Sequence, residues 1–230
     1  MARIRFEGVT VDFDGFRALD GIDLTIEERL VGIIGSNGSG KSTLARLING
    51  LNEPSSGTVT VDGLDVVKDG KKVRRRVGFI FSDAENQIVM PRVVDDVAFS
   101  LRTRGVPRSE REPLAMRALE RLGLAEHAES SPHLLSGGQK QLLALAAVLV
   151  TEPDVIVADE PTALLDLANT LKITALFHSL PQQIVVVTHD LDVLSDFERV
   201  IRVDNAHIVD DGKPARVIAG YREAMLRSAR

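Results

Sequence analysis

Residues 35–43 read Gly35-Ser36-Asn37-Gly38-Ser39-Gly40-Lys41-Ser42-Thr43 and stand between two apolar segments. The segment before them, residues 30–34, is typical of a buried strand, and the spacing of Leu44, Leu47 and Ile48 after them predicts a helix. Glycines allow the backbone to turn its amide N–H groups toward one anion, and the helix that follows adds its positive N-terminal end. The stretch therefore predicts a P-loop that binds phosphate.

Two side chains in this P-loop are predicted to act on a nucleotide. Lys41 is expected to reach the outer phosphates as a point charge, and the Ser42 hydroxyl to coordinate a Mg²⁺ ion that bridges them. The alternative is a glycine-rich connection with a chance lysine, and the strand and helix on either side argue against it. We therefore expect a P-loop nucleotide-binding domain.

Length, charge and cysteine content restrict the class of protein. A chain of 230 residues with 44% hydrophobic content can bury one substantial core, so we expect a single domain over residues 1–230. The net charge of −5 argues against a nucleic-acid partner, because such proteins usually cluster an excess of Lys and Arg. The one basic run, residues 71–76, is interpreted as solvated surface or as a contact for phospholipid headgroups or acidic partners. The absence of cysteine excludes disulfides and thiolate metal sites, and it is compatible with a reducing cytosol.

Two features of the hydropathy pattern bear on membranes. Residues 1–6 lack the long apolar region of a signal peptide, so we expect no export by that route. The longest apolar run, residues 142–150, is far short of the about 20 residues that cross a bilayer. Any membrane role is therefore expected to be peripheral.

The residues before and after the P-loop predict a small antiparallel sheet beside the nucleotide. Apolar residues alternate from Ile4 to Ile26, and we interpret Asp14-Gly15 and Asp20-Gly21 as turns that break this pattern. Another strand pattern, at residues 58–61, stops at the turn signal Asp62-Gly63.

Helical periodicity begins near residue 88 and continues to residue 150, which predicts a helical subdomain inserted between strands. Within it, Ser109 and Glu112 predict a capping box, and Gly123 predicts the end of that helix. The runs after this region alternate with helical segments, which predicts a parallel sheet covered on both faces. These apolar runs are residues 77–81, 155–158, 184–187 and 200–203, and a closing helix is predicted from Pro214.

A carboxylate pair, Asp159-Glu160, follows the run at 155–158. Parallel sheets place ligands at the carboxyl ends of their strands, so Asp159 is expected to hold Mg²⁺ and Glu160 to polarise the attacking water. The alternative is an acidic helix N-cap before Pro161. A P-loop upstream favours the catalytic interpretation.

Two single residues complete the predicted catalytic group. His189 follows the run at 184–187, and we expect it to hydrogen-bond the γ-phosphate and so report whether ATP or ADP is bound. Gln87 ends a strand-and-turn segment and is expected to complete the shell of the Mg²⁺ ion or of the water. Only their positions distinguish either residue from an ordinary surface or core residue.

A second anion-binding helix start is predicted at residues 135–139, Leu135-Ser136-Gly137-Gly138-Gln139, which open an apolar helix. The chain thus has one P-loop and one further phosphate-binding helix start. A head-to-tail dimer is the simplest explanation of this combination. In that dimer, the Ser136 segment of each subunit closes over the ATP that the other subunit's P-loop holds. The alternative is a plain Ser-Gly-Gly helix start.

Taken in order, these residues resemble the ATP-binding cassette (ABC) ATPase family over essentially the whole chain. Residues 35–43 are similar to its Walker A segment, Gln87 to its Q-loop, 135–139 to its signature sequence, 155–160 to its Walker B strand with the catalytic glutamate, Asp166 to its D-loop aspartate and His189 to its switch histidine. The resemblance implies ATP and Mg²⁺ as ligands. It also implies an α/β P-loop NTPase fold with a RecA-like parallel core, an N-terminal antiparallel subdomain and an inserted helical subdomain.

Two positions of the chain bear on its match to the family pattern. The family stacks an aromatic residue on adenine ahead of the first hairpin, and Phe13 is the best positional match, with Phe16 a possible substitute. The family usually has a small residue where Leu164-Leu165 stand. That departure concerns communication across the dimer rather than the nucleotide site.

The sequence around Gln87 resembles one branch of the family. Residues 83–91 and 94–99 look like the ATPase subunits of energy-coupling-factor (ECF) importers of vitamins and transition metals, and the short chain looks most like the biotin-type subunit. The resemblance implies a homodimer, or a heterodimer with a paralogous ATPase. It further implies a transmembrane T component, a substrate-binding S component and a peripheral position on the cytoplasmic face of the membrane.

Three alternative functions remain at this point. The first is the ATPase of a cobalt, nickel or other ABC importer, and the second is a soluble ABC ATPase that acts on ribosomes or DNA. The third, a GTPase-like switch, is disfavoured because no Asn-Lys-x-Asp motif occurs.

The stretch from Ile88 to Asp96 fits a docking role. Its apolar residues 88–90 can fill a groove of a partner, and Asp95 and Asp96 are candidates to pair with cationic side chains of a membrane subunit. The alternative is an internal helix with solvated acids.

Overall fold

Ten strands and seven α-helices lie in the residues that this computed structural model describes, 1–163 and 165–228. The strands are β1 (Ile4–Phe13), β2 (Phe16–Ile26), β3 (Leu30–Ile34), β4 (Ser56–Val61), β5 (Leu64–Asp65), β6 (Val77–Ile80), β7 (Val155–Asp159), β8 (Gln183–Val187), β9 (Arg199–Asp204) and β10 (His207–Gly212). The helices are α1 (Lys41–Ile48), α2 (Gly70–Arg76), α3 (Val93–Arg102), α4 (Arg108–Arg121), α5 (Gly137–Leu149), α6 (Leu167–Ser179) and α7 (Pro214–Ser228). Short 3-10 helices occur at Ala84–Asn86, Ala125–His127, Pro132–Leu134 and Asp192–Leu194.

The first sheet is antiparallel and has the strand order β2-β1-β4-β5. Asp14 and Gly15, with φ angles of 45° and 88°, form the predicted turn between β1 and β2. The second predicted turn, Asp20-Gly21, is wrong, since β2 continues through it. Gly21 has a φ of 59° and lies in a bulge, because the register of β1 with β2 shifts between Val9 and Val11.

The second sheet has the order β10-β9-β3-β8-β7-β6, and its pairs are parallel except for β10 with β9. Strands β3, β7 and β8 are buried over their whole length because both faces of the sheet are covered. Helix α1 and the antiparallel sheet pack on one face, and α5, α6 and α7 pack on the other. The predicted parallel core and N-terminal antiparallel subdomain are confirmed.

Helices α3, α4 and α5 enclose a third apolar cluster that includes Val97, Leu119 and Leu143. The predicted capping box at Ser109 is wrong, because the N-cap of α4 is Pro107, two residues before Ser109, and makes no side-chain cap. The predicted end of this helix is confirmed, since α4 stops at Arg121 and Gly123 has a φ of 71°.

Helix α5 connects this helical layer to the parallel sheet. Its residues Leu143 and Ala146 face the cluster between the helices, whereas Leu145 and Val148 pack on the sheet. The C-terminal half of α5 is therefore held by two cores at once.

The chain closes with α7, as predicted from Pro214, and Val217 of this helix packs against the parallel sheet. Within residues 1–163 and 165–228, none of the helices has the length and hydropathy needed to cross a membrane.

Candidate nucleotide-binding and hydrolysis site

The P-loop backbone connects β3 to α1 through two glycines that no larger residue can replace. A Cβ atom on Gly35 would lie 2.0 Å from the carbonyl oxygen of Val203, and one on Gly40 would lie 2.4 Å from that of Ala18. Gly40 is the N-cap of α1, has a φ of 105° and leaves the helix start without a side-chain cap. The first amide N–H groups of α1 are therefore available to a ligand.

Six of the nine P-loop residues share one cavity of about 180 Å³ with both adenine candidates. It is lined by Phe13, Phe16, Ala18, Gly38, Ser39, Gly40, Lys41, Ser42 and Thr43. Phe13 and Phe16 are paired across the first turn and are both exposed, so the structure brings both adenine candidates to this cavity. The Ser39 hydroxyl is buried without a partner among the described residues, which suits an oxygen-rich ligand.

Lys41 is held inside the P-loop. Its Nζ donates a hydrogen bond of 2.7 Å to the carbonyl oxygen of Ser36. Burial lowers the pKa of Lys41, and the negative charges of Glu160 and Asp159 oppose that shift. The negative charge of a bound triphosphate would likewise oppose the effect of burial and favour the charged form of the Lys41 amine.

Ser42 and Asp159 meet although 117 positions separate them in the chain. The Ser42 hydroxyl donates a hydrogen bond of 2.9 Å to Asp159 Oδ1, and Asp159 is only 2% exposed at the end of β7. A hydroxyl and a carboxylate are the oxygen ligands that Mg²⁺ prefers, so this pair fits the ion.

Sequence reasoning missed Arg46, whose Nη2 lies 3.5 Å from Asp159 Oδ2. Ser42 and Arg46 stand four residues apart on α1 and so share one face of the helix. That spacing is the signal that could have identified Arg46. The guanidinium orients the carboxylate oxygen that Ser42 does not engage.

Glu160 and His189 come together at the ends of β7 and β8. Glu160 has a φ of 51°, an uncommon backbone conformation for a residue other than glycine, and its N–H donates to the carbonyl oxygen of Val187 at 2.8 Å. His189 Nδ1 lies 2.8 Å from Glu160 Oε2, and the His189 backbone N–H donates to the same oxygen at 3.3 Å. Since the carboxylate accepts from Nδ1–H, the Nε2 atom of the ring is left for another partner.

Gln87 is not brought to the Ser42–Asp159 pair. Its Oε1 accepts from the N–H of Phe81 at 3.3 Å, and its Nε2 donates to the carbonyl oxygen of Phe79 at 3.4 Å. Both amide atoms are thus engaged at the end of β6 and must be released before Gln87 can reach a Mg²⁺ ion.

Ser136 caps the start of α5 through a complete capping box. The Ser136 Oγ accepts from the Gln139 N–H at 3.3 Å, and Gln139 Oε1 accepts from the Ser136 N–H at 2.8 Å. Sequence reasoning missed His127, whose Nε2 lies 2.9 Å from Gln139 Nε2. With its oxygen committed to Ser136, the Gln139 amide donates to His127.

Gly138 and Asp166 connect this helix start to α6. A Cβ atom on Gly138 would lie 2.7 Å from Asn169 Nδ2, so the two helices approach closely there. Asp166, the residue that matches the D-loop aspartate, caps α6 by accepting from the Asn169 N–H at 2.8 Å. Leu164 lies outside the described residues, and Leu165 is partly buried against the core.

The two predicted phosphate-binding helix starts line different cavities of the chain. Gly137 borders a cavity of about 250 Å³ together with Asp83 and Glu160, whereas the P-loop residues border the cavity beside Phe13. One chain therefore presents Ser136 and Lys41 at separate places.

The docking hypothesis for Asp96 is wrong. Asp96 is only 4% exposed, and its Oδ1 accepts from the N–H groups of Val89 and Met90 at 2.8 and 3.0 Å. Burial raises the pKa of Asp96, and these two hydrogen bonds oppose that shift. Asp95 is paired with Arg92 within the chain, at 2.7 Å.

A parallel core carrying a P-loop, a strand-end carboxylate pair and a separate capped helix start defines an ATP-binding cassette ATPase. Residues 19–163 match the family model described as "ABC transporter", so the chain belongs to that family. It is an ATP-hydrolysing subunit coupled to transport.

Three relatives and two solved structures are similar over most of the chain. A "Putative ABC transporter ATP-binding protein" of Deinococcus radiodurans is 48% identical over 96% of this chain and 98% of the relative. The "Biotin transport ATP-binding protein BioM" of Rhizobium etli is 43% identical over 96% and 98%, and the "Energy-coupling factor transporter ATP-binding protein EcfA1" of Symbiobacterium thermophilum is 42% identical over 88% and 73%.

Among solved structures, "cbiO1 from clostridium perfringens", described as part of the ABC transporter complex cbiONQ, has a TM-score of 0.82 at 33% identity and covers 97% of this chain and 94% of that one. The cassette MJ0796, described as a dimer in a post-hydrolysis state bound to ADP and Pi, has a TM-score of 0.80 at 30% identity, with 92% and 98% covered. These similarities confirm the predicted fold and the resemblance to the ABC ATPases.

Proposed function

We propose that this chain is the ATPase of an ECF-type importer and that it energises uptake of a vitamin, with biotin favoured, through a membrane partner. The observation that carries the proposal is the separation of the two phosphate-binding helix starts, because a chain built this way needs a second cassette to complete its site. The sequence at residues 83–91 and the similarity to a biotin transport ATPase favour the ECF branch and the vitamin.

In this proposal the P-loop binds the phosphates of ATP. The amides of residues 35–43 and the Lys41 ammonium hold the β- and γ-phosphates, and Phe13 or Phe16 stacks on adenine. Ser42, Asp159 and, once released from β6, Gln87 would hold Mg²⁺, which neutralises charge on the phosphates.

Glu160 is the proposed general base for hydrolysis. It accepts a proton from the attacking water, and this kind of assistance is worth roughly 10²–10⁴ in rate. His189 donates to one carboxylate oxygen of Glu160 through Nδ1–H, and its Nε2 donates to the γ-phosphate when the ring carries both protons. The pair thus connects the base to the phosphate that distinguishes ATP from ADP.

The second half of each site comes from the neighbouring subunit. Two copies, or one copy and a paralogous ATPase, associate head to tail so that Ser136, Gly137, Gly138 and Gln139 of one subunit approach the γ-phosphate held by the other. Closure requires ATP because only a nucleotide with a γ-phosphate makes the differential contacts that favour the closed dimer. Hydrolysis and phosphate release reopen it.

The proposed membrane-facing surface surrounds a cavity of about 550 Å³ that Ile88, Val89 and Met90 line. Val89 is 63% exposed, so apolar area is available to a membrane subunit. We place the ATPase peripherally on the cytoplasmic face of the membrane, with a transmembrane T component and a substrate-binding S component.

Co-purification and uptake test the branch and the substrate. The tagged chain, expressed with the membrane proteins of its own organism, is expected to co-purify with a T and an S component. In vesicles containing that complex, ATP should drive uptake of labelled biotin, and Glu160→Gln should abolish it. ATP-driven uptake of Co²⁺ or Ni²⁺ instead would favour the metal importer, and co-purification with ribosomes would overturn a transport role.

Cross-linking tests the head-to-tail dimer. The absence of native cysteine allows Asn37→Cys and Leu134→Cys to be combined in one chain, since both side chains are exposed. In the Glu160→Gln background, a short bis-maleimide should form covalent dimers with ATP and far fewer with ADP. Replacing the second site by Val67→Cys, which is also exposed, is the matched control and should give no ATP-dependent product.

A further inference from the structure

An ion pair joins the turn that carries Gln87 to the helix that begins at Ser136. Lys140, in the first turn of α5, donates a hydrogen bond from Nζ to Glu85 Oε1, in the 3-10 helix Ala84–Asn86. The Lys140 side chain is only 15% exposed, whereas that of Glu85 is 65% exposed. The hydrogen bond from Lys140 lowers the pKa of the Glu85 carboxyl.

Each end of this ion pair belongs to a locally rigid unit. On one side, Asp83 accepts from the Glu85 N–H at 3.0 Å and from Asn86 Nδ2 at 2.9 Å, which fixes the turn just before Gln87. On the other side, the Lys140 N–H donates to the carbonyl oxygen of Ser136 at 2.9 Å, next to the capping box. A displacement of either unit is therefore carried to the other through the charged pair.

The pair also borders two cavities. Glu85 and Lys140 line the cavity of about 550 Å³ beside Ile88 and Val89, and they also line the cavity of about 250 Å³ that Gly137 and Glu160 border. The first of these cavities is the proposed membrane-facing one, and the second faces the proposed catalytic base. The ion pair therefore belongs to the lining of both cavities.

We propose that Glu85 and Lys140 are positioning residues that set the orientation of the Ser136 helix start relative to the Gln87 turn, and so couple the partner-facing cavity to ATP-driven closure. The inference rests on the proposed function, because it assigns the two cavities to a membrane subunit and to a second cassette. A solvated ion pair without functional effect is the competing interpretation, since exposed pairs often contribute little.

Charge reversal provides the test. The variants Glu85→Lys, Lys140→Glu and the double charge swap are made in the Glu160→Gln background, and ATP-dependent dimerisation is measured by light scattering over a range of protein concentrations. Each single reversal should weaken dimerisation about 5-fold or more, which is the lower end of typical coupling between sites. The double swap should restore most of the loss, because the attraction is re-formed with opposite sign.

Binding of a fluorescent ATP analogue to the isolated chain is the second readout. It should be unchanged in all three variants, because neither residue lines the P-loop cavity. Lys72→Glu is the matched control, since Lys72 makes a similar surface ion pair with Asp69 but lines neither of the two cavities. It should dimerise like the parent.

The outcomes separate this inference from the proposed function. Single reversals that dimerise like the parent, or a double swap that remains as weak as the singles, would overturn the role of the ion pair and leave the dimer intact. A parent chain that does not dimerise with ATP would instead overturn the head-to-tail dimer. A single reversal that abolishes nucleotide binding by the isolated chain would contradict the positioning role.

Discussion

The starts of α1 and α5 are both proposed to offer amide N–H groups to a phosphate, yet they are built in opposite ways. Helix α1 begins at Gly40, which has a φ of 105° and offers no side-chain cap. Helix α5 begins at Ser136, where a capping box with Gln139 already uses two N–H groups. The first N–H groups of α1 therefore have no cap from a side chain, whereas two N–H groups at the start of α5 already have hydrogen-bond partners within the chain.

This difference predicts an order of events. The α1 start is held in shape by close backbone packing at Gly40, so its free amides can bind ATP in a single chain at little reorganisation cost. At the α5 start, the Ser136 hydroxyl hydrogen and the amides of Gly137 and Gly138 remain for a ligand. We expect strong binding at the P-loop first and weaker, ATP-dependent engagement of Ser136 from the neighbouring subunit afterwards.

The largest effect is expected from replacing Glu160, the proposed general base. Hydrolysis by this residue would end the state in which both helix starts hold one ATP. Glu160→Gln should lower steady-state hydrolysis by roughly 10²–10⁴. At the same time, the ATP-bound dimer should accumulate because it no longer reopens. Phosphate release and light scattering measure the two quantities, and normal hydrolysis in this variant would refute the assignment of Glu160.

The next effect tests the open helix start. Lys41→Ala should weaken ATP binding to the isolated chain by about 10-fold or more, because a hydrogen bond to a charged group is typically worth about 1.5–3 kcal/mol. A fluorescent ATP analogue provides the titration. The control is Lys68→Ala, which removes an exposed lysine from the loop before α2 and should bind the analogue like the parent. An ATP affinity of Lys41→Ala equal to that of the parent would count against the phosphate cradle.

A substitution at the capped helix start should have the opposite pattern of effects: dimerisation should weaken and ATP binding by the isolated chain should not. Ser136→Ala removes an N-cap, typically worth about 1 kcal/mol, together with the hydroxyl that faces the neighbour's ATP. We expect dimerisation with ATP to weaken by about 5- to 10-fold and ATP affinity of the isolated chain to stay the same. A loss of affinity in the isolated chain would mean that the two helix starts are not independent.

The smallest effect concerns the residue that orients the capping box. His127→Ala removes the acceptor for Gln139 Nε2 and should weaken ATP-dependent dimerisation by about 2- to 5-fold, in line with the loss of one hydrogen bond. His127→Gln can accept at the position of Nε2 and should restore it. His127→Lys offers only donors there and should not, and equal behaviour of the Gln and Lys variants would exclude an acceptor role.

Much of the candidate site was predictable because its residues stand at recognisable local positions. Lys41 and Ser42 follow a glycine-rich loop, and Asp159, Glu160 and His189 follow apolar strands. Such positions are read from a few neighbouring residues. The P-loop fold and the ABC family could therefore be anticipated along most of the chain.

The errors and omissions share a different cause. Asp20-Gly21 has the composition of a turn, but pairing with β1 turns it into a bulge inside β2. Asp96 reads as a solvated acid, but α3 packs it beneath the loop at Val89 and Met90. The sequence around His127 does not indicate a role for this residue, because that role depends on contact with Gln139 in another element.

Local chemistry alone specified the phosphate cradle, since glycine conformations and the helix that follows them depend on neighbours in the chain. Packing over long distances decided the rest. It brought Ser42 to Asp159 across 117 positions and Glu160 to His189 across 29, and it put the P-loop and Gly137 at different cavities. These arrangements follow from the order of strands in the parallel sheet and from two cores that hold α5, and neither is contained in any short segment.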